Sequence, residues 1–494
     1  MTRYIVNISK RWPALLASVA LIMSCTGEFD EINTNPNSPT NVGAQYLLPT
    51  GIESSIDRYW GHRDRFERIN IDAAELYVRH LTRNIYSNEG DDYTVSQALV
   101  ANNWKGFYND GLSNFQRIIN ISAEDGIAPN RNYEGVALVM RSWVFSLLTD
   151  MYGAIPYSEA VRGTAEESIY KPVYDSQEAV YAGLLEDLKL ANEKLQVGGP
   201  AISGDILYSG NILRWKKFAN SLRLRLANRQ AAKKPAESRA IFAEILGDPG
   251  TYPVYESNAD HTQLNCTTVL PSNNEWNQIL VQTGRTYWNI SKTLADRLRE
   301  LGDTRVTIFA NPNGKGEYQG HANGLPDAIA TLYLATSSSI GSYFIRADAP
   351  EVVMTFAELN FILAEAVLDG DITGDATEYF KKGIAASFSQ YGLEVPAGYY
   401  EKVGSVTREK VLEQKWISLF GQGVEAWTEL RRTGLPEMPA HDPRAVLQND
   451  GILPTRFPYP NTEYSLNEEN VKNGISLNGG SENDMKTKLW WSEK

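Results

Sequence analysis

Cysteine is nearly absent. Of 494 residues only Cys25 and Cys266 carry a thiol, which excludes the disulfide framework of small secreted domains. Stability must come from a packed core, and a chain of this length with 42% hydrophobic residues can build one. Histidine is scarce as well, with five scattered residues, so no His/Cys cluster stands at zinc-ligand spacing. Basic charge is in deficit, 47 Lys and Arg against 60 Asp and Glu, net −13. Such a surface repels phosphate backbones and argues against a nucleic-acid partner. Also missing is an apolar run of the roughly 20 residues that a membrane-spanning helix needs. G-x-S-x-G, H-E-x-x-H and P-loop motifs do not occur. Carboxylates are plentiful, but the sequence shows no pair set across a cleft as a glycosidase requires.

What the chain does have starts at its N-terminus. Arg3, Lys10 and Arg11 precede an apolar run from Trp12 to Met23, then Ser24 and Cys25; this is the pattern of a secretory signal. Ile22-Met23-Ser24-Cys25 is similar to a bacterial lipobox, with Met23 where a small residue is usual. Residues 1–24 are expected to be a lipoprotein signal peptide, and the Cys25 thiol to carry the lipid. A plain signal peptide with an incidental cysteine is the alternative. Several acyl chains, at ~0.8 kcal/mol per buried methylene, hold a protein on a membrane. Cleavage would remove three basic and no acidic groups, leaving the mature chain more acidic still. Residues 26–40 are polar, acidic and interrupted by Pro36 and Pro39, so 25–40 reads as an extended, lipidated tether.

Helical periodicity then dominates. Residues 135–149 set Val136, Val139, Met140, Trp143, Leu147 and Leu148 on one stripe, with Gly153 placed to cap and Pro156 to forbid continuation. Residues 175–195 predict a second helix, with Asp175 as N-cap. More are expected over 211–230, 235–246, 291–301, 354–368, 376–391, 407–420 and 423–433. Residues 251–291 and 311–342 are rich in Asn, Ser, Thr and Gly and read as loops with a short hairpin. From Gly434 the chain is Pro-rich and irregular. Helix pairs joined by turns, 135–149 with 175–195 and 354–368 with 376–391, predict a mainly α fold. It is either a tetratricopeptide-like stack or a non-repeating bundle, over residues 41–494 with a loop-rich insertion at 251–342. A scaffold with irregular loops is an arrangement suited to binding. One turn, Asp369-Gly370-Asp371-Ile372-Thr373-Gly374-Asp375, superficially matches a calcium loop, but Phe380 stands where the twelfth-position Glu belongs; a polar turn between helices is expected, with no metal and no cofactor.

Aromatic residues are the chief surplus: 26 Tyr, 15 Phe and 11 Trp, more than packing needs. Flat rings cover the C–H patches of sugar faces, while Asn, Asp and Arg meet hydroxyls. Two stretches supply both. Arg83 to Tyr93 offers Asn84, Tyr86, Asp91 and Tyr93; the stretch from Asn274 to Asn289 offers Trp276, Arg285, Tyr287 and Trp288. Tyr343 is a further candidate. A ligand is expected where the two stretches meet, with Trp276→Ala and Trp288→Ala weakening capture at little loss of stability. Trp143, Trp215, Trp416 and Trp427 lie on helical stripes and are expected in the core.

Several stretches together resemble a known family. They are Phe29-Asp30-Glu31-Ile32-Asn33-Thr34-Asn35-Pro36-Asn37, Leu148-Thr149-Asp150-Met151-Tyr152-Gly153 with Ile155-Pro156-Tyr157, and Trp215-Lys216-Lys217-Phe218 continuing to Arg225. Met354-Thr355-Phe356-Ala357-Glu358 with Ala364-Glu365-Ala366 follows, then Gln414-Lys415-Trp416-Ile417 through Phe420-Gly421-Gln422-Gly423 to Glu425-Ala426-Trp427 and Arg431-Arg432-Thr433-Gly434. Phe457-Pro458-Tyr459-Pro460, Glu463-Tyr464 and Leu489-Trp490-Trp491 close the series. In this order, the chain resembles the SusD/RagB family of outer-membrane nutrient-binding lipoproteins. The resemblance implies a SusD-like scaffold of four tetratricopeptide-like helix pairs with a variable loop region. It implies no enzyme, but a surface-exposed lipoprotein that captures oligosaccharides and passes them to a SusC-like TonB-dependent transporter. Glu28, Asp30 and Glu31 resemble the short signal that sends such lipoproteins to the outer face. Capture of peptides on the same scaffold, or a lipid-anchored hydrolase, are the other readings.

Overall fold

Asn130 opens a 22-residue helix because its side-chain oxygen accepts the N–H groups of Asn132 and Tyr133 at 3.0 and 3.3 Å. The helix ends where Gly153 turns back at φ 84° and donates to the Thr149 carbonyl at 2.8 Å. A Cβ there would lie 2.2 Å from Asn478 Oδ1, so both conformation and space select glycine. The computed structural model describes residues 42–62, 64–163 and 168–493; Cys25, Glu28, Asp30 and Glu31 lie outside them.

In chain order the helices of ten residues or more are α1 (Ala44–Trp60), α2 (Gln97–Gly106), α3 (Ser113–Ser122), α4 (Arg131–Tyr152), α5 (Gln177–Lys194), α6 (Ile212–Gln230) and α7 (Pro235–Gly247). They continue with α8 (Lys292–Leu301), α9 (Phe356–Leu368), α10 (Ala376–Ser389), α11 (Arg408–Ser418), α12 (Gly423–Thr433) and α13 (Asn461–Leu477). The strands are β1 (Leu81–Arg83), β2 (Thr262–Leu264), β3 (Trp288–Ile290) and β4 (Glu351–Met354). The fold is mainly helical and tetratricopeptide-like: α3 packs on α4, α4 on α5, α5 on α6 and α6 on α7, while α9 packs on α10 and α11 and meets α6. Residues Ala44–Lys494 form one compact unit.

Several boundaries differ from expectation. Ser176, not Asp175, caps α5 by accepting the Ala179 N–H. The Asp175 carboxylate instead accepts the N–H groups of Tyr157 and Ser158 at 3.1 and 2.8 Å, pinning the connection after α4. Met354 belongs to β4, because Thr355 caps α9. The segment after Gly434 contains α13, kinked at Asn467; only Asn467, Val471, Gly474 and Ile475 of it are buried, so its sequence carries little apolar stripe. In the turn between α9 and α10 each carboxylate has structural work: Asp369 pairs with Arg408, Asp371 with Arg239, and Asp375 caps α10.

The interface of α4, α6, α9 and α12 holds a lattice of buried charges. Arg225 Nε donates to Glu358 at 2.6 Å, Arg229 Nη1 to Asp150 at 2.6 Å, and Arg432 Nη2 to Glu429 and Glu365 at 2.7 and 2.8 Å. Trp143, Trp215, Trp416 and Trp427 are all buried.

Candidate ligand-binding site

Two short strands distant in sequence bring the loops together. β1 pairs antiparallel with β3, with Leu81 opposite Ile290, Thr82 opposite Asn289 and Arg83 opposite Trp288. The ladder runs on into the loops, since Asn84 N–H donates to the Tyr287 carbonyl at 2.9 Å. The rings of Tyr86 and Tyr287 thereby meet edge to face, centroids 5.2 Å apart at 71°. Tyr86 is 44% exposed and Tyr287 half-buried.

The Asn84–Tyr93 loop is held rigidly from beneath. Tyr86 has φ 58° and Tyr93 φ 72°, a region costly for large side chains unless the surroundings enforce it. At Tyr86 Asp327 enforces it: its carboxylate accepts the Tyr86 N–H at 3.1 Å and both N–H and hydroxyl of Ser87 at 2.8 Å. Partial burial works to raise the Asp327 carboxyl, and the bonds from Ser87 and Tyr86 overcome it and hold it below the usual range. Gly90 has φ 117°, and a Cβ there would sit 1.9 Å from the Asp72 carbonyl oxygen, so the loop cannot close on another residue.

The sequence-predicted residues divide sharply. Asp91 is buried beneath the loop, accepting from Thr82 Oγ1 at 3.0 Å, Asn323 Nδ2 at 2.6 Å and Gly324 N at 3.1 Å; burial pushes its carboxyl up to about 6 against those bonds. Asn84 is buried and donates to Asn289 Oδ1 at 2.6 Å. The Tyr93 ring is buried and its hydroxyl meets Nε2 of half-buried His441 at 3.0 Å. Trp276 and Trp288 are 0% and 1% exposed. These five are corrected from ligand contacts to supports, since none of them presents a face to solvent. Trp276 is walled in by Trp60, Phe344 and Phe420, and Trp288 lies under the Arg83 guanidinium, 5.1 Å from the ring centre. The ring of half-buried Tyr343 meets Phe344, Tyr391 and Arg346, and among the described residues it makes no contact with the Tyr86–Tyr287 pair. Tyr86, Tyr287 and Arg285 remain at the surface, with exposed Asn88 and Thr286 between them.

The sequence reading missed what lies next to Arg285. A cavity of ≈ 400 Å³ is lined by Asp64, Arg65, Arg68, Leu270, Gln278, Gln282, Thr283 and Arg285. The neighbouring Phe66 ring, 38% exposed with the Arg65 guanidinium 5.0 Å over its centre, lines a separate small cavity with Asn88 and Glu89. Residues 64–68 carry no aromatic cluster, and only the fold places them beside residues 278–287. Two other cavities are less suited to a sugar. One of ≈ 420 Å³ between α8 and residues 436–442 has part of its charge paired within the lining, Arg297 with Glu413 at 2.7 Å and Lys292 with Asp296, and its Trp416 ring is buried. One of ≈ 460 Å³ beside α13 is backed by Trp104 and Tyr108, which pack on each other and on neighbouring rings.

Comparison with known proteins places this geometry in context. A SusD-like family model described as "Starch-binding associating with outer membrane" matches residues 36–460. None of the curated proteins compared matches the sequence significantly. A solved chitin-binding protein is similar at TM-score 0.79 and 27% identity, covering 92% of this chain and all of its own. A SusD homologue from Bacteroides fragilis aligns at TM-score 0.71 and 25% identity, covering 92% of this chain and all of its own. A chitin-binding SusD homologue from Flavobacterium johnsoniae reaches TM-score 0.77 at 22% identity, covering 90% of this chain and 98% of its own, and bears on the fold alone.

Proposed function

The chain belongs to the SusD-like family, and we propose that it captures oligosaccharides without cleaving them where Tyr86 meets Tyr287, and passes them to a SusC-like TonB-dependent transporter. The observation that carries this is a surface aromatic pair fixed by the β1–β3 ladder and by Asp327. A preformed platform costs little order on binding, and rings flanked by Asn88, Thr286 and Arg285 match the two faces of a sugar, C–H and hydroxyl. The chitin-binding relative and the starch-binding family description favour a glycan as cargo. A shallow aromatic site binds modestly, which suits a protein that must release what it holds.

The test is affinity electrophoresis against chito-oligosaccharide, starch-derived and acidic glycans. An aromatic contact of about 0.5–1.5 kcal/mol predicts that Tyr86→Ala and Tyr287→Ala each weaken retention roughly two- to tenfold, with the melting temperature little changed. If a glycan is retained by the parent and equally by both variants, the site is elsewhere.

Attachment is proposed through a lipid on Cys25, with the protein facing outward from the outer membrane. Among the described residues no helix is long and apolar enough to cross a membrane, and Ile22-Met23-Ser24-Cys25 is lipobox-like. Cys25→Ala is expected to fold and leave the membrane fraction in cells that lack the transporter. Persistent membrane association there would show that the lipid is not the anchor.

A further inference from the structure

The protein as a whole is acidic, net −13, yet one cavity gathers Arg65, Arg68 and Arg285 around one opening. Among the described residues Asp64 is the single carboxylate in its lining. Arg65 pairs with Glu89 across the surface, with both side chains part-exposed, a contact weak enough to be exchanged for a better anion. Arg285 forms no hydrogen bond or ion pair with any described residue. Its five N–H donors are directed by no partner, two residues along the chain from the Tyr287 ring. Burial lowers Arg68 from its ordinary value, and the charges of Arg285 and Arg83 act in the same direction while Asp72 and Asp64 oppose it. Gathering like charges costs stability, and an anionic ligand removes that cost.

We propose that this cavity is an anion subsite continuous with the Tyr86–Tyr287 platform, and that the preferred cargo is an acidic oligosaccharide whose carboxylate or sulfate group meets the Arg285 guanidinium. A guanidinium presents a planar fork that matches either oxyanion. The sugar ring lies against the tyrosines and its charged substituent points toward Arg285, Arg65 and Arg68. Gln282 and Thr283, both exposed, add neutral hydrogen-bonding groups around the same opening. This deepens the function proposed above and rests on that reading.

Three probes of equal length separate the possibilities: an oligogalacturonate, a sulfated galactan oligosaccharide and a neutral chito-oligosaccharide, each titrated calorimetrically into the full mature chain. At least one acidic probe should bind about tenfold more tightly than the neutral one, as charge-assisted bonds allow, and the preference should shrink between 50 and ~500 mM salt. The two acidic probes report whether carboxylate or sulfate is preferred. Arg285→Gln should bring the acidic probes down to the affinity of the neutral one with the melting temperature unchanged, since among the described residues the parent side chain has no partner to lose. Tyr287→Ala should weaken all probes. Equal binding of acidic and neutral probes, or a preference that survives Arg285→Gln, overturns the anion subsite and leaves the glycan platform standing. Binding of none of the probes at millimolar concentration overturns both.

Discussion

The indole of Trp276 has no exposed surface. Its N–H donates to the Trp60 carbonyl at 3.0 Å, and its ring packs on Trp60 with centroids 5.4 Å apart. Truncation would leave a large cavity and a buried carbonyl without its donor, at about 3–5 kcal/mol. Trp276→Ala is therefore expected to lower the urea midpoint substantially, in contrast to Tyr287→Ala. A Trp276→Ala protein as stable as the parent but deficient in glycan retention would return the ring to the ligand. Nothing local distinguishes the two residues in the sequence, because both stand among Asn, Gln and Thr with no helical period. What separates them is remote: Trp276 meets α1 and Phe420, whereas Tyr287 precedes a strand whose partner lies at residues 81–83. Trp427 was legible because its helix has a stripe, and it is buried with its N–H on the Pro454 carbonyl at 2.8 Å. Arg65 and Arg68 carried no signal, since arginines interleaved with Asp64 and Glu67 read as a solvated, self-compensating surface.

At the scale of elements, helices were legible where the chain writes their caps: Asn211, Ser291, Thr407 and Asp375 each accept the N–H groups they face. Strands were not. β1, β3 and β4 are three or four residues long and buried along their whole length, so they show no alternation to detect. β4 also buries a carboxyl group that the sequence gives no reason to expect inside. Glu351 is fully buried and accepts the Glu275 N–H at 2.7 Å, with Asp57 hydrogen-bonded to it and Glu53 nearby. Burial, then the charge of Glu275, pushes its carboxyl from an ordinary 4.5 up to about 8. The folded state thus keeps a proton that the unfolded chain loses above pH 4.5, so the group subtracts stability as pH rises through 4.5 to 8 and the full cost stands above pH 8. Glu351→Gln keeps the carbonyl acceptor and cannot ionise. Its unfolding free energy relative to the parent should increase steadily from pH 5 to pH 8.5 in urea titrations. Parallel curves for the two proteins would show that Glu351 does not titrate in the fold.

At the scale of the whole molecule, several of the stretches that carry the family resemblance contribute charges to the buried ionic lattice, with its Arg229 and Glu429 just outside them. Asp150 sits in Leu148-Thr149-Asp150-Met151-Tyr152-Gly153, Arg225 ends the stretch begun by Trp215, and Glu358, Glu365, Lys415, Glu425 and Arg432 come from the later ones. Alone, each segment looks like an amphipathic helix with stray charges; folded, the charges face one another across five helices, α4, α6, α9, α11 and α12. Arg229 is the hub, 1% exposed, bonded to Asp150 and Glu425 with Glu429 at 3.3 Å. Burial opposes the Glu429 charge, but Arg432, Lys415 and Arg229 hold its carboxyl well below the usual range. A lattice of this kind is poor evidence of net stability, because desolvation offsets much of the attraction, yet breaking it from one side strands carboxylates in the core. Arg229→Met keeps most of the volume and removes the charge, and is expected to cost about 3–5 kcal/mol. Adding Glu425→Gln removes one stranded charge, so the double variant should be more stable than Arg229→Met alone, a coupling that a double-mutant cycle reads directly. If the two substitutions simply add, the helices are held by their apolar faces and the charges serve only to exclude other registers.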